Sequence, residues 1–238
     1  MPIETRYEDV TSHDGATFAA FCAIPDGGAG PGILVFQEIF GINDNMRDLA
    51  MRLAEQGYVA LVPDMFWRIE PRFERKDESG LADAMAVVQK FDPQNGLKDI
   101  AAAHEHLLGM AACSGKVGSV GFCLGGALTF ACAAHSRVEG RGIDAGVAYY
   151  GSAINDMLGA VAEIECPMMF HYGERDAFIP AENIDAVEQA VAKLPAVEFH
   201  RYDAGHAFSN ADAPSMYDAA ASDLAWQRTL EFLARHLR

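Results

Sequence analysis

The sequence predicts an α/β fold in which a mostly parallel sheet is covered by helices on both faces. Short runs of apolar and β-branched residues recur along the 238-residue chain, and amphipathic helical patterns separate most of them. The runs are apolar almost throughout, which is typical of parallel strands that are buried on both faces. No internal repeat or low-complexity linker interrupts the alternation, so residues 1–238 are expected to form one domain.

The strand-like runs are residues 17–24 (TFAAFCAI), 32–38 (GILVFQE), 58–63 (YVALVP), 116–122 (KVGSVGF), 144–151 (DAGVAYYG), 167–173 (PMMFHYG) and 197–203 (VEFHRYD). Helical patterns cover residues 43–56, 78–91, 97–111, 124–135, 181–193 and 215–236. No helix separates the first two runs, so we expect them to pair antiparallel. The most charged stretch, residues 68–80 (RIEPRFERKDESG), is expected to form an exposed excursion.

Composition excludes several classes of function. The chain has 34 acidic and 18 basic residues, a formal charge of −16, which repels nucleic acid and anionic membranes. Five irregularly spaced cysteines without a C-x-x-C motif favour a reducing cytoplasm over a disulfide framework. The charged N-terminal stretch MPIETRYEDV does not match a signal peptide. The longest uncharged run, residues 117–136, is rich in glycine and indicates a strand, a turn and a helix rather than a membrane span.

A glycine-rich turn at residues 121–126 (GFCLGG) is the first candidate for a functional site. Its G-x-C-x-G pattern between a strand and a helix has the form of a nucleophile elbow, with cysteine in the usual position of serine. Such a turn would expose Cys123 above the sheet and place it at a helix N-terminus, where a thiolate is favoured. The turn alone leaves two interpretations open, a catalytic nucleophile and a small buried structural cysteine.

A nucleophile needs a base, and the base needs an orienting acid. Asp176 follows the run at 167–173, and His206 follows the run at 197–203 between Gly205 and Ala207. Both therefore come after the carboxyl ends of strands, where open α/β sheets bind their ligands. The order of cysteine, aspartate and histidine also matches the order of nucleophile, acid and histidine in α/β-hydrolases. His104 and His106 lie two residues apart on a predicted helix, a poor spacing for a shared metal.

The chain resembles the dienelactone hydrolases, a cysteine-dependent branch of the α/β-hydrolases. The matching stretches are QEIFGIN, MRDLAMRLAEQGYVALVPD, GKVGSVGFCLGGAL, AYYG, the aspartate of GERDAFIP, and AGHAF, which together span most of the chain from Gly32 onward. The resemblance implies an α/β-hydrolase fold with about eight strands, a triad of Cys123, Asp176 and His206, and no cofactor or metal. It also implies an oxyanion hole formed by the backbone N–H groups of Ile39 and Leu124.

Glu38 is a further site residue implied by the resemblance. In the family this glutamate lies beside the nucleophile and takes part in activating the thiol when substrate binds. A carboxylate beside a cysteine would oppose premature ionisation of the thiol, and its displacement would free the thiolate. The sequence VFQEIF supports this role because the carboxylate directly follows a buried apolar run.

The substrate contacts depart from the family pattern. Dienelactone hydrolases hold the substrate carboxylate with two arginines, and here Leu81 and Asn210 occupy the corresponding positions, with Met85 in place of a nearby tyrosine. Arg72 and Arg75 would restore the grip if the charged excursion folded over the site. The pocket candidates are therefore Leu81, Met85, Asn210, Tyr150, Arg72 and Arg75.

The expected function is hydrolysis of a small-molecule carboxylic ester or lactone through an acyl-enzyme on Cys123. A hydrolase of neutral aryl esters or thioesters is an alternative within the enzyme class. Outside that class, the alternatives are a non-catalytic binding protein and a thiol redox sensor on the same fold. The chain is expected to be a cytoplasmic monomer or small homo-oligomer without nucleic-acid or membrane partners.

Overall fold

Eight strands form one mixed sheet in the order β1-β2-β4-β3-β5-β6-β7-β8. The computed structural model describes residues 3–76 and 78–238. The strands are β1 (Glu4–Thr11), β2 (Thr17–Ile24), β3 (Gly30–Phe36), β4 (Val59–Pro63), β5 (Cys113–Phe122), β6 (Ala145–Tyr149), β7 (Met168–Gly173) and β8 (Val197–Tyr202). All neighbours from β4 to β8 pair parallel, whereas β1 pairs antiparallel with β2, and β2 antiparallel with β4. The predicted α/β class and mostly parallel sheet are confirmed.

Six α-helices and two 3-10 segments connect the strands within the described residues. The α-helices are α1 (Asp44–Glu55), α2 (Leu81–Val88), α3 (Pro93–Gly109), α4 (Leu124–His135), α5 (Ala181–Val191) and α6 (Ala219–Leu237). The 3-10 segments are Glu78–Gly80, directly before α2, and Ile154–Glu163, between β6 and β7.

Two glycines show that the helices cover both faces of the sheet. A Cβ atom on Gly32 would lie 2.9 Å from the Leu107 side chain of α3, whereas one on Gly118 would lie 2.9 Å from Leu237 of α6 and 3.4 Å from Ile33. Gly32 and Ile33 are consecutive in β3, and consecutive strand residues point to opposite faces. Helices α3 and α6 therefore lie on opposite faces of the sheet, as predicted.

One expectation about the strands is wrong, and one strand was not predicted. The first two strand-like runs do not pair with each other, because β4 lies between β2 and β3 and pairs with both. The apolar runs also do not include the first strand of the sheet. Strand β1 is an edge strand with mostly exposed residues, among them Glu4, Arg6 and Asp9. Charged residues on an edge strand limit pairing with other chains, and they also hide the strand from a search for apolar runs.

Two helices begin where a capping side chain lies, and these starts differ from those that the apolar pattern predicted. Helix α3 begins at Pro93, four residues before the predicted start, because the Asp92 side chain accepts hydrogen bonds from the N–H groups of Gln94 and Asn95. Helix α6 begins at Ala219 because the Asp218 side chain caps it, so the preceding residues stay free to form part of a loop over the sheet.

The charged excursion is only partly exposed. Phe66 and Phe73 are buried in a small apolar cluster that is separate from the main core. Asp99 of α3 is also buried, and it accepts hydrogen bonds from Trp67 Nε1 and Arg68 Nε at 3.0 and 2.8 Å. The segment is therefore fastened to the body of the protein through Arg68 and Phe73.

Among the helices formed by the described residues, none combines the length and the apolarity that a membrane crossing requires.

Candidate active site

The turn between β5 and α4 places Cys123 in a strained backbone conformation. Its φ and ψ angles are 54° and −114°, a region that side-chain-bearing residues rarely occupy. A Cβ atom on Gly121 would lie 1.9 Å from the carbonyl oxygen of Gly125, and one on Gly125 would lie 2.1 Å from that of Phe36. Both positions therefore require glycine, and the turn is a sharp strand-to-helix elbow.

Two backbone N–H groups near Cys123 are available to a ligand. Leu124 is the first residue of α4, and Ile39 follows the end of β3. Within the part of the chain that the structure describes, neither N–H donates a hydrogen bond to a protein acceptor. The residues that the resemblance assigns to an oxyanion hole thus have free donors.

His206 connects Cys123 to Asp176. Its Nε2 atom lies 3.1 Å from Cys123 Sγ, and its Nδ1 atom lies 2.7 Å from Asp176 Oδ2. The other Asp176 oxygen accepts hydrogen bonds from the N–H groups of Phe178 and Ile179 at 2.8 and 2.9 Å. Because these bonds fix the carboxylate, and the carboxylate fixes the ring, His206 has one defined orientation toward the sulfur.

The charge state of His206 follows from the same contacts. Burial disfavours the charged ring, but the hydrogen bonds to Asp176 and Cys123 outweigh it and raise the pKa of His206 to about 10. The contacts with Asp176 and Cys123 therefore favour the protonated form of the His206 ring at neutral pH.

Glu38 is a buried carboxylate beside this group, with 3% of its surface exposed. The Tyr150 hydroxyl donates to Oε1 at 3.2 Å, and Asn210 Nδ2 donates to Oε2. Burial raises the pKa of Glu38 above its ordinary value, while the nearby His206 and the two hydrogen bonds act in the opposite direction. No hydrogen bond joins Glu38 to Cys123 among the described side chains.

A cavity of about 220 Å³ opens onto the Cys123 sulfur. Its walls are mainly apolar, and their polar groups are two carboxylates, a hydroxyl, an amide and the Cys123–His206 pair. The described residues that line it are Glu38, Ile39, Phe40, Glu78, Leu81, Met85, Val88, Cys123, Leu124, Ser152, Phe178, His206, Ala207, Asn210, Ala213 and Met216. No arginine or lysine is in this set. A ligand here would meet apolar surface, the catalytic candidates and two acidic side chains.

The pocket candidates from the sequence separate into two groups. Leu81, Met85 and Asn210 line the cavity. Tyr150, Arg72 and Arg75 do not line it, so their assignment to the pocket is wrong. The Tyr150 ring is fully buried behind Glu38.

The two arginines are held elsewhere by their own partners. The Arg72 guanidinium lies 4.2 Å from the centre of the Tyr7 ring. Arg75 Nε lies 2.9 Å from Asp83 Oδ2, and its guanidinium packs over Phe73. The charged excursion therefore does not bring a cation to the cavity.

Several lining residues escaped the sequence analysis. Ser152 lies 3.9 Å from the Cys123 sulfur, and Phe178 packs its ring edge-on against His206 with centroids 5.2 Å apart. Ser152 directly follows the AYYG stretch, and Phe178 comes two residues after Asp176, so closeness to matched motifs is the signal that could have found them. Met216 belongs to the loop before α6, for which no local pattern indicates a position over the sheet.

The described residues contain no group of three or more histidine, cysteine or acidic side chains placed to hold a metal ion. A wider groove of about 670 Å³ lies between β1 and α3, but it is open and shares no lining residue with the cavity at Cys123.

The sheet order, the elbow after β5 and the residues at the carboxyl ends of the strands define an α/β-hydrolase fold. The sequence profile of the dienelactone hydrolase family matches residues 18–237. The carboxymethylenebutenolidase of Pseudomonas putida is 38% identical over 228 residues, which cover 94% of each protein. Carboxymethylenebutenolidase 1 of Cupriavidus pinatubonensis is 33% identical over 228 residues, 95% of each protein. The chain belongs to the dienelactone hydrolase family and is a carboxylic ester hydrolase.

Solved structures agree with this assignment. A dienelactone hydrolase-like promiscuous phosphotriesterase from metagenomic libraries superposes with a TM-score of 0.82 at 26% identity and covers 100% of both chains. A dienelactone hydrolase from Anabaena variabilis superposes with a TM-score of 0.71 over 100% of both chains, and at 19% identity it supports the fold alone.

Proposed function

We propose that this protein hydrolyses uncharged carboxylic esters or lactones through a thioester intermediate on Cys123. The observation that carries the proposal is the position of His206, 3.1 Å from the Cys123 sulfur and 2.7 Å from the Asp176 carboxylate. A nucleophile, a base and an orienting acid in direct contact are the requirements of covalent acyl transfer.

In the first half-reaction, the Cys123 sulfur forms a bond to the carbonyl carbon of the ester. The carbonyl oxygen takes the negative charge, and the N–H groups of Leu124 and Ile39 donate to it. One such donor typically contributes about 10²–10³ in kcat. The intermediate then collapses, the C–O bond to the leaving group breaks, and His206 donates its proton to the departing oxygen.

In the second half-reaction, water attacks the thioester carbon. His206 takes a proton from the water, the same oxyanion hole holds the negative charge, and the C–S bond breaks. The products are the carboxylic acid and the restored Cys123–His206 pair. A cyclic substrate follows the same steps, except that its leaving group stays attached to the acid.

The preference for uncharged substrates rests on the cavity. An anionic acyl group would leave water without gaining an arginine or lysine partner, and it would lie near the Glu38 and Glu78 carboxylates, which both line the cavity. Charge-assisted hydrogen bonds contribute about 1.5–3 kcal/mol each. Leu81 and Met85, both partly exposed at the cavity, offer apolar surface to an alkyl or aryl group instead.

A panel of p-nitrophenyl esters and dienelactone, applied to wild type, Cys123→Ala and Cys123→Ser, tests this function. Wild type should hydrolyse the neutral esters, and Cys123→Ala should lose roughly 10⁴-fold or more in kcat. Acid-quenched wild type should carry an acyl group on the peptide that contains Cys123. An alanine variant that keeps most of the esterase activity would rule out the proposed nucleophile.

A second candidate activity is hydrolysis of neutral phosphotriesters. One solved relative is described as a promiscuous phosphotriesterase, and an uncharged triester with an aryloxide leaving group suits the same cavity, whose described residues include no arginine or lysine. The sulfur would bond to phosphorus as aryloxide leaves, and water would then break the S–P bond. Paraoxon in the same panel tests this, and turnover that survives in Cys123→Ala would exclude it.

A thiol redox function has less support. The described cavity residues include no second cysteine, so a disulfide cycle at Cys123 would lack a resolving thiol within that cavity.

A further inference from the structure

Ser152 presents a hydroxyl group to the cavity, close to the nucleophile. Its Oγ atom lies 3.9 Å from the Cys123 sulfur, and the residue is half-buried in the cavity wall. Within the part of the chain that the structure describes, the sulfur is the only hydrogen-bond partner of this hydroxyl. A hydroxyl offers one donor and two acceptor positions, so most of its hydrogen-bonding capacity is available to a ligand.

The turn that carries Ser152 is strained. Tyr150 has a φ angle of 34° and Ala153 has one of 66°, so residues with side chains adopt positive φ on both sides of Gly151 and Ser152. Such conformations are rare outside glycine and cluster at functional sites. The hydroxyl between the two strained residues is the group of this turn that faces the cavity.

Two contacts hold this turn in place. The Tyr172 hydroxyl donates a hydrogen bond to the carbonyl oxygen of Gly151 at 3.1 Å. The turn also packs directly on α4, because a Cβ atom on Gly126 would lie 2.7 Å from the Cα atom of Gly151. Since α4 begins directly after Cys123, these contacts fix the position of Ser152 relative to the sulfur.

The strand order places Ser152 on the side of Cys123 opposite to Ile39. Strands β3 and β6 are the two neighbours of β5. Ile39, a proposed oxyanion donor, follows β3, whereas Ser152 follows β6. His206 follows β8, which lies beyond β6 in the sheet. The Ser152 hydroxyl therefore shares a side with the base rather than with the Ile39 donor.

That side is where oxygen atoms are exchanged in the proposed reaction. The departing oxygen takes a proton from His206, and the attacking water later gives a proton to His206, so both oxygens occupy one position beside the ring. An attacking atom lies about 3–3.5 Å from the carbon it attacks, and an O–H···O hydrogen bond spans about 2.7–2.8 Å. A hydroxyl 3.9 Å from the sulfur that carries the acyl group is within reach of that position.

We propose that Ser152 is a catalytic residue whose hydroxyl binds the oxygen exchanged at His206. In the first half-reaction the hydroxyl donates a hydrogen bond to the departing oxygen. In the second it accepts one from the water proton that His206 does not take, which directs a lone pair of the water toward the thioester carbon. This inference rests on the proposed function.

The Ser152 hydroxyl itself neither gains nor loses a proton. During thioester hydrolysis, a bond forms between the water oxygen and the acyl carbon, and the C–S bond to Cys123 breaks with its electron pair moving to sulfur. One water proton passes to His206, and the other remains on the carboxylic acid that is released.

The test measures the two half-reactions separately in wild type, Ser152→Ala and Ser152→Thr. Turnover of p-nitrophenyl acetate is measured at saturation, together with the fraction of enzyme that carries an acetyl group on the Cys123 peptide after acid quenching. The rate constant of thioester hydrolysis is kcat divided by this fraction. Alkylation of substrate-free enzyme by iodoacetamide reports on the nucleophile by itself.

Ser152→Ala should lower the rate constant of thioester hydrolysis about tenfold, the effect of one neutral hydrogen bond, and should increase the acetylated fraction. The alkylation rate and kcat/KM for p-nitrophenyl acetate should stay close to wild type, because p-nitrophenolate departs without assistance. The kcat/KM for phenyl acetate, which has a poorer leaving group, should fall. Ser152→Thr keeps the hydroxyl and should retain the wild-type rates.

Ser209→Ala is the matched control. It removes a buried hydroxyl from the loop that carries His206, but that hydroxyl pairs with Ser222 at 3.1 Å and does not line the cavity, so all rates should stay unchanged.

An unchanged rate constant of thioester hydrolysis in Ser152→Ala would overturn the proposal. Equal losses in alkylation, acylation and hydrolysis would also overturn it, because the hydroxyl would then act on the free thiol or on the fold. Turnover that persists in Cys123→Ala would refute the proposed function itself, a result distinct from both of these.

Discussion

The Nε2 atom of His206 lies 3.1 Å from the Sγ atom of Cys123, although the two residues are 83 positions apart in the chain. The contact forms because Cys123 follows β5 and His206 follows β8, and all parallel strands of the sheet direct their carboxyl ends to one edge. The elbow places the Cys123 sulfur at that edge, and the loop after β8 places the His206 ring against the sulfur.

The backbone strain at Cys123 predicts a trade-off between stability and activity. A positive φ of 54° costs a residue with a side chain about 1–3 kcal/mol, and glycine avoids this strain. Cys123→Gly should therefore be about 1 kcal/mol more stable than Cys123→Ala in urea unfolding, while both variants are inactive. Equal stability of the two variants would show that the turn is not strained.

Removal of the base should reduce activity more than removal of its orienting acid, or by a comparable factor. His206→Ala should lower kcat by several orders of magnitude, and Asp176→Asn by up to about 10⁴-fold, as in triads whose members act together. His135→Ala is the control, because His135 is the last residue of α4, at the opposite end from Cys123, and pairs with Glu163. Normal rates from pH 5 to 9 in both triad variants would contradict the assignment.

The raised pKa of His206, about 10 in the folded protein, predicts a pH-dependent contribution to stability. An unfolded histidine has a pKa near 6.5, so the folded state binds the proton more tightly. The stabilisation is fully present below about pH 6.5 and is lost as pH rises toward 10. The difference in unfolding free energy between wild type and His206→Asn should therefore shrink over that range, whereas a constant difference would contradict the pKa shift.

The elbow glycines should tolerate no side chain. Gly121→Ala and Gly125→Ala would place Cβ atoms 1.9 and 2.1 Å from carbonyl oxygens, so the backbone must move, and we expect a loss of at least about 3 kcal/mol. Gly109→Ala is the matched control. It lies at the end of α3 with no atom within 4 Å of the added Cβ, and it should be neutral or slightly stabilising. Similar unfolding curves for all three variants would contradict the tight packing of the elbow.

The absence of arginine and lysine from the described cavity residues predicts substrate preference. Short neutral aryl esters should have a kcat/KM at least about a hundredfold higher than the anionic dienelactone, at 1.4 kcal/mol for each factor of ten. Arg72→Ala and Arg75→Ala should leave both values unchanged, because Arg72 packs on Tyr7 and Arg75 pairs with Asp83. A tenfold preference for dienelactone that either variant abolished would show that an arginine reaches the substrate.

Local signals in the sequence were sufficient for most of the fold. Continuous apolar runs predicted seven of the eight strands, and the helical patterns predicted all six α-helices with shifts at their ends. Strand β1 was missed because half of its residues are charged and most are exposed, and it is held in the sheet by pairing with β2. The misplaced start of α3 had a local cause, since Asp92 and Pro93 are recognisable as a cap and a first helical residue.

The nucleophile candidate and its order relative to Asp176 and His206 were also readable without a structure. Contacts within or directly beside the turn require glycine at positions 121 and 125. A short motif in the sequence is therefore enough to recognise the turn. The aspartate and the histidine each follow a strand, and strand ends are encoded by neighbouring residues. The sequence alone therefore identified Cys123, Asp176 and His206 as candidates.

The surroundings of the nucleophile were decided only by the tertiary structure. Tyr150 and Asn210 meet Glu38 from 112 and 172 residues away, and Tyr150 was expected in the pocket wall rather than behind it. Arg72 and Arg75 carry the right charge for a substrate clamp, but packing against Tyr7 and pairing with Asp83 hold them outside the cavity. The physical reason is that the periods of strands and helices encode contacts between near neighbours. The path of a long loop is set by which distant surfaces it packs against, so its side chains find their partners only when the whole chain has folded.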